Sequence, residues 1–109
     1  MLITVRRVHF NDALTMRQFA RSPFTVAHPL YLALRDTAER EGMHLLPNLC
    51  LDACRIYTQE AQAQAHVWTL PIGVQQALEK YFKTGGGKSF DVLIPGEVWE
   101  VIVREVRKD

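Results

Sequence analysis

Between residues 74 and 94 the apolar periodicity switches from helical to extended across three consecutive glycines, and this switch limits the fold more than any other feature. In VQQALEKYFK the residues Val74, Ala77, Leu78, Tyr81 and Phe82 recur at the spacing of one helix face. In SFDVLI, by contrast, Phe90, Val92 and Ile94 alternate as the inward residues of a strand do. A chain that passes from helix to strand over KTGGGKS must pack both kinds of element on one core, which predicts an α+β fold.

The same glycines raise a chemical question, because Gly-Gly-Gly-Lys-Ser looks like the tail of a phosphate-binding loop. That loop needs a glycine five positions ahead of its Gly-Lys-Ser, to open the turn whose N–H groups converge on the phosphates. Phe82 occupies that position. The context is also reversed, since a phosphate loop follows a strand and opens a helix. Gly85 is expected instead to end a helix in the left-handed conformation, with Lys80 and Lys83 suited to the negative end of its dipole. No nucleotide is expected to bind through Gly85–Ser89, and no cofactor is expected.

The rest of the chain extends the pattern. MLITVRRVHF is rich in β-branched and aromatic residues and predicts a strand. Asn11 or Asp12 then caps a short helix over ALTMRQFAR, with Leu14, Met16 and Phe19 inward. HPLYLALRDTAEREG is the clearest helix. Pro29 suits its first position, Leu30, Ala33, Leu34, Thr37 and Ala38 form one stripe, Asp36 and Arg40 are spaced to pair, and Gly42 sits at the C-terminus. A third helix is predicted from about Pro47 to Gln59, while residues 61–70 fit either helix or strand. Pro71 restarts a helix that runs to about Thr84. Residues 89–106 read as a hairpin turning at Pro95-Gly96, with Trp99 beside Val92 and Val101 beside Phe90. The expected architecture is a small, mainly antiparallel sheet, made of the N-terminal strand plus this C-terminal hairpin, packed against three or four helices. One globular domain over residues 1–109 is expected, since no repeat or linker divides the chain.

Two stretches resemble DNA-binding elements. FDVLIPGEVWEVIVREV is similar to the strand and first helix of ribbon-helix-helix repressors, in which reading Pro95 starts a helix carrying Val98, Val101, Ile102 and Val106. The outward residues of such a strand would be Asp91 and Leu93, or Phe90, Val92 and Ile94, not the polar and basic groups that read base edges. LTMRQFARSPFTVAHPLYLALRD resembles a helix-turn-helix, yet Leu30, Tyr31 and Leu32 stand where base-reading side chains belong.

Chemistry-bearing residues are few. Cys50 and Cys54 fall on one face of the predicted third helix, as reduced, metal-free core thiols; neither their spacing nor that of His44 and His66 matches a structural zinc pattern. Among His9, His28, His44 and His66 no catalytic motif forms, so no catalytic or metal-binding residue is assigned. At 48% hydrophobic and 23% charged residues, the composition is that of a folded soluble protein, without a membrane-length apolar run or secretory signal. A cytoplasmic location is therefore expected.

Net charge is +1, but residues 1–27 carry +3 and residues 28–79 carry −3. Interface hot spots are enriched in arginine and tryptophan. Arg6, Arg7, Arg17, Arg21, Trp68 and Trp99 are therefore the candidate partner contacts. The expected function is a small non-enzymatic binding or regulatory protein acting on a protein partner, with a homodimer as one form. The alternative is a DNA-binding regulator using the basic N-terminal quarter, and the third reading is a small enzyme with a dispersed site.

Overall fold

The strand expected over the first ten residues is cut short by a histidine. The computed structural model describes residues 1–19 and 27–106, and within it β1 covers only Leu2–Val5 before α1 begins at Arg7–Phe19. The Arg6 N–H donates to His9 Nδ1 at 2.9 Å. A side chain three residues into the helix thus reaches back to the N-cap N–H, as Glu or Gln does in a capping box. Asn11 and Asp12, expected as caps, consequently lie inside α1. Of its expected inward residues, Leu14 and Met16 are half-buried; the side chain of Phe19 is outside the described part.

The next helix, α2 (Pro29–Arg40), follows the sequence closely. Pro29 takes the first position, and Leu30, Ala33, Leu34, Thr37 and Ala38 are all buried. Gly42, just past the C-cap, has φ 71°, where a side chain would be strained. The expected Asp36–Arg40 pair is not made. Asp36 turns to His9, and Arg40 donates to Thr37 Oγ1 at 3.3 Å.

The predicted third helix is instead two strands. After β2 (Met43–Leu45), β3 spans Leu49–Leu51 and β4 spans Arg55–Glu60. Asp52 is the cause. Its Oδ1 accepts from the N–H groups of Cys54 and Arg55, both at 2.8 Å, and this side-chain-closed turn reverses the chain. Cys50 is therefore half-buried in a strand and Cys54 exposed in a turn, and neither is the core thiol of a helix face. The undecided segment is a strand, β5 (Ala63–Thr69), paired antiparallel with β4.

The helix before the glycines is α3 (Ile72–Thr84), and Gly85 ends it with φ 77°, its N–H donating to the Tyr81 carbonyl. The strand after them is β6 (Phe90–Leu93). The C-terminal hairpin does not form. Pro95 caps a helix, α4 (Gly96–Ile102), and the chain then extends as β7 (Val103–Glu105). Proline preset at the helix start, with Val98, Trp99 and Ile102 all buried on one side of α4, outweighs the two-residue alternation. Of the residues on the alternative helical reading, Val98 and Ile102 are buried whereas Val101 is exposed.

The two strands of the supposed hairpin find distant partners. β6 pairs antiparallel with β1, Ile3 opposite Val92 and Val5 opposite Phe90, and β7 pairs antiparallel with β2. The described residues thus form three small antiparallel sheets, β1–β6, β2–β7 and β3–β4–β5, with four helices. Ile3, Val5, Val92 and Ile94 meet Phe10, Leu30, Leu34, Leu51, Ile56, Leu78 and Ile102 in one contiguous core. Among the described residues no helix is long and apolar enough to cross a membrane.

Candidate binding cleft

Alternation in β1 sends Ile3 and Val5 into the core and leaves Leu2 and Thr4 outside. The helix face of α2 that buries Leu34 and Ala38 likewise leaves Asp36, Glu39 and Arg40 toward solvent. These two rows, with Arg6, Val8 and His9 from the start of α1, line a cleft of about 670 Å³. The outer face of the β1–β6 ribbon continues its apolar wall. Leu2 stands opposite Leu93 across the ladder, and they are 58% and 70% exposed, with Val8 at 52%. Next to them Thr4 Oγ1 donates to Asp91 Oδ1 at 2.8 Å, tying the two strands together.

His9 is the buried polar group of the cleft, with both ring nitrogens hydrogen-bonded. Its Nδ1 accepts from the Arg6 N–H, so the ring carries its proton on Nε2, which donates to Asp36 Oδ2 at 2.8 Å. The imidazole is buried, whereas Asp36 is 46% exposed and also lies 3.9 Å from Arg35 Nε. With both ring nitrogens engaged, His9 could take a proton from a ligand only by giving up one of these bonds. The pair therefore orients Asp36 and fixes the start of α1. The open groups are the cations Arg6 and Arg40, the anions Asp36 and Glu39, and the side chains of Leu2 and Val8. Leu2 and Val8 thus share the recess with side chains of both charge signs.

A second histidine is used in the same way away from the cleft. His28, fully buried, caps α2 by accepting from the Leu30 N–H through Nδ1 at 3.2 Å, and its Nε2–H donates to the Asp52 carbonyl at 3.1 Å. Burial lowers its pKa from 6.5 to about 4, against the opposing pull of Asp52.

Of the six candidate contacts, the five among the described residues are not brought together. Arg6 lines the cleft, and Arg7 is exposed at the first position of α1. Arg17 lies at the other end of that helix, its guanidinium 5.6 Å from the Tyr81 ring centre and 5.9 Å from that of Phe82. Burial pushes the Tyr81 phenol up, and the Arg17 charge works against that. Arg21 lies outside the described residues. Trp68 is half-buried in β5, and Trp99, 8% exposed, is turned into the core. Sequence reasoning missed Leu2, Val8, Leu93 and the His9–Asp36 pair. The signal for Leu2 and Leu93 was an apolar residue out of phase with the inward alternation of its strand; Val8, in the first turn of α1, carried no such signal.

Among the described residues no three His, Cys, Asp or Glu side chains gather as metal ligands. Compared with models of protein families, with curated proteins and with solved structures, the chain finds no match in any of the three.

Proposed function

We propose that the chain is a non-enzymatic binding protein, regulatory in effect, whose protein partner sits on the cleft beside β1. The observation that carries this is the exposed cross-strand pair Leu2–Leu93, continuous with Val8 and framed by Arg6, Arg40, Asp36 and Glu39. Scattered single apolar residues need no explanation, but a contiguous group of them beside a recess marks an interaction site. The mixed charges around it favour a protein over a nucleic acid, whose phosphates would call for one sign alone. DNA binding through the basic first quarter draws less support, because Arg17 is laid over two aromatic rings at the end of α1 remote from Arg6.

A photo-reactive residue in place of Val8 should crosslink one protein species in an extract of the native cells, and one in place of Glu79 should not. With that partner purified, Leu93→Ser should raise Kd about tenfold or more, the loss expected when a leucine no longer buries at an interface. Equal capture from position 79, or crosslinking to nucleic acid in place of protein, would refute the reading.

A further inference from the structure

Among the described residues strand β5 has one neighbour, β4, and no strand pairs with its other edge. The turn between them contains two residues, Ala61 and Gln62, with Ala61 at φ 50°. In such a hairpin the flanking residues Glu60 and Ala63 form a hydrogen-bonded pair, and the alternation of antiparallel ladders then makes Thr58 and Ala65 the next one. Gln59/Gln64 and Tyr57/His66 fall between them as non-bonded pairs. The other side of β4 agrees, because the Gln59 N–H points away from β5 and donates to the Asn48 carbonyl at 3.0 Å. The N–H and C=O groups of Gln64 and His66 therefore project from the open edge. No backbone group among the described residues takes them up.

Natural edges are guarded by charge, proline or irregularity. AQAHVWT has neither charge nor proline, and residues 63–66 are exposed throughout. The ladder irregularity lies opposite Ile56 and Tyr57, beyond His66, and leaves the Ala63–His66 edge regular.

We propose that this edge is an interface with a second copy of the chain, β5 pairing antiparallel with its equivalent about a two-fold axis at Ala65. The register is self-matching. Gln64 of each copy faces His66 of the other, both in hydrogen-bonded positions, so four main-chain bonds form. Ala65 faces its own equivalent at a non-bonded position, where the strands approach to about 4.5 Å between Cα atoms and a methyl group fits. Ala63 meets Val67 of the other copy. The three-stranded sheet becomes a closed, isologous sheet of six strands, with no like charges facing each other.

The test is a charge exchange at the axis. Sedimentation equilibrium of the wild-type chain across the micromolar range should show a concentration-dependent dimer. Ala65→Lys and Ala65→Glu, each placing like charges against each other, should both be monomeric with unchanged circular dichroism, and mixing the two should restore a dimer. Gln64→Pro, which removes an outward N–H without touching the ladder to β4, should also lower dimer affinity at least tenfold. A wild type that is monomeric throughout, or a dimer that survives Ala65→Lys, would overturn the proposal. None of these outcomes bears on the cleft beside β1, whose partner is tested at Val8 and Leu93.

Discussion

His28 should make the protein acid-sensitive in a narrow and assignable window. In the fold its neutral form is enforced twice, because Nδ1 must stay bare to accept from Leu30 and the ring has no exposure to water. Its pKa falls from 6.5 to about 4. Above pH 6.5 both folded and unfolded chains carry a neutral His28, and its contribution is constant. As pH falls below 6.5 the unfolded chain takes up the proton first, so stability drops by as much as ~1.4 kcal/mol per pH unit. Below about pH 4 both states are protonated and the loss levels off at about 3 kcal/mol. Between pH 7.5 and 5.0 the loss due to this group should be about 2 kcal/mol, read from urea midpoints. Carboxylates titrate over part of the same range, so the comparison is with His28→Asn. Asparagine still caps Leu30 but has no proton to gain. The variant should start lower by about 1–3 kcal/mol at pH 7.5, having lost the bond to the Asp52 carbonyl and some packing, and the gap should then close by about 2 kcal/mol at pH 5.0. Parallel pH profiles for the two proteins, or a His28 imidazole that titrates near 6.5 in the folded chain by NMR, would refute the reasoning.

Trp99→Ala should destabilise the fold by about 3–5 kcal/mol, with backbone chemical shifts over residues 96–102 remaining helical in the wild type. A loss below about 1 kcal/mol would mean that Trp99 faces solvent. Gly85→Ala should cost about 1–2 kcal/mol by thermal melting, because φ is 77° there and the new methyl would stand 3.4 Å from Leu14 Cδ1. A neutral or stabilising result would show that α3 does not end in the left-handed turn.

The sequence was most legible where local chemistry and packing agree. In α2 the proline, the apolar stripe and the terminal glycine all specify one helix, and all three are found in place. The glycine run behaves likewise, because a left-handed residue after Lys83-Thr84 satisfies an orphan carbonyl whatever the rest of the chain does. Residues 47–59 misled because Leu49, Ala53 and Tyr57 happen to repeat every four residues. Leu49 and Leu51 also alternate about Cys50, and Asp52 carries a turn-forming carboxylate, but a side-chain hydrogen bond is a geometric event that spacing alone does not report. In the C-terminal segment the inward face was read correctly at Val92 and Ile94, but the second arm, read as a strand, is the helix Gly96–Ile102, and β6 pairs with β1 instead. Nothing local says that Val92 faces Ile3 or that His9 meets Asp36, since these contacts join residues 89 and 27 positions apart. The cleft joins two short runs, residues 2–9 and 36–40, whose meeting no local pattern reports.

The two sheets β1–β6 and β2–β7 have an implication for how the molecule comes into being. Each joins a strand from the first half of the chain to one from the last twenty residues, and the N-terminal amine itself donates to the Ile94 carbonyl at 2.8 Å. During synthesis, β1 and β2 therefore leave the ribosome with no ladder to enter, exposing Ile3, Val5 and Leu45 until Phe90–Glu105 has followed them out. The β3–β4–β5 meander, closed by turns of a few residues, can form in the meantime. Closing loops of some ninety residues for β1–β6 and some sixty for β2–β7 is slow, so the late pairing of these strands, and not the meander, should set the folding rate. A chain stalled before β6 would expose two unpaired strands at once, the state in which a protein of this design is most exposed to aggregation and most in need of a chaperone.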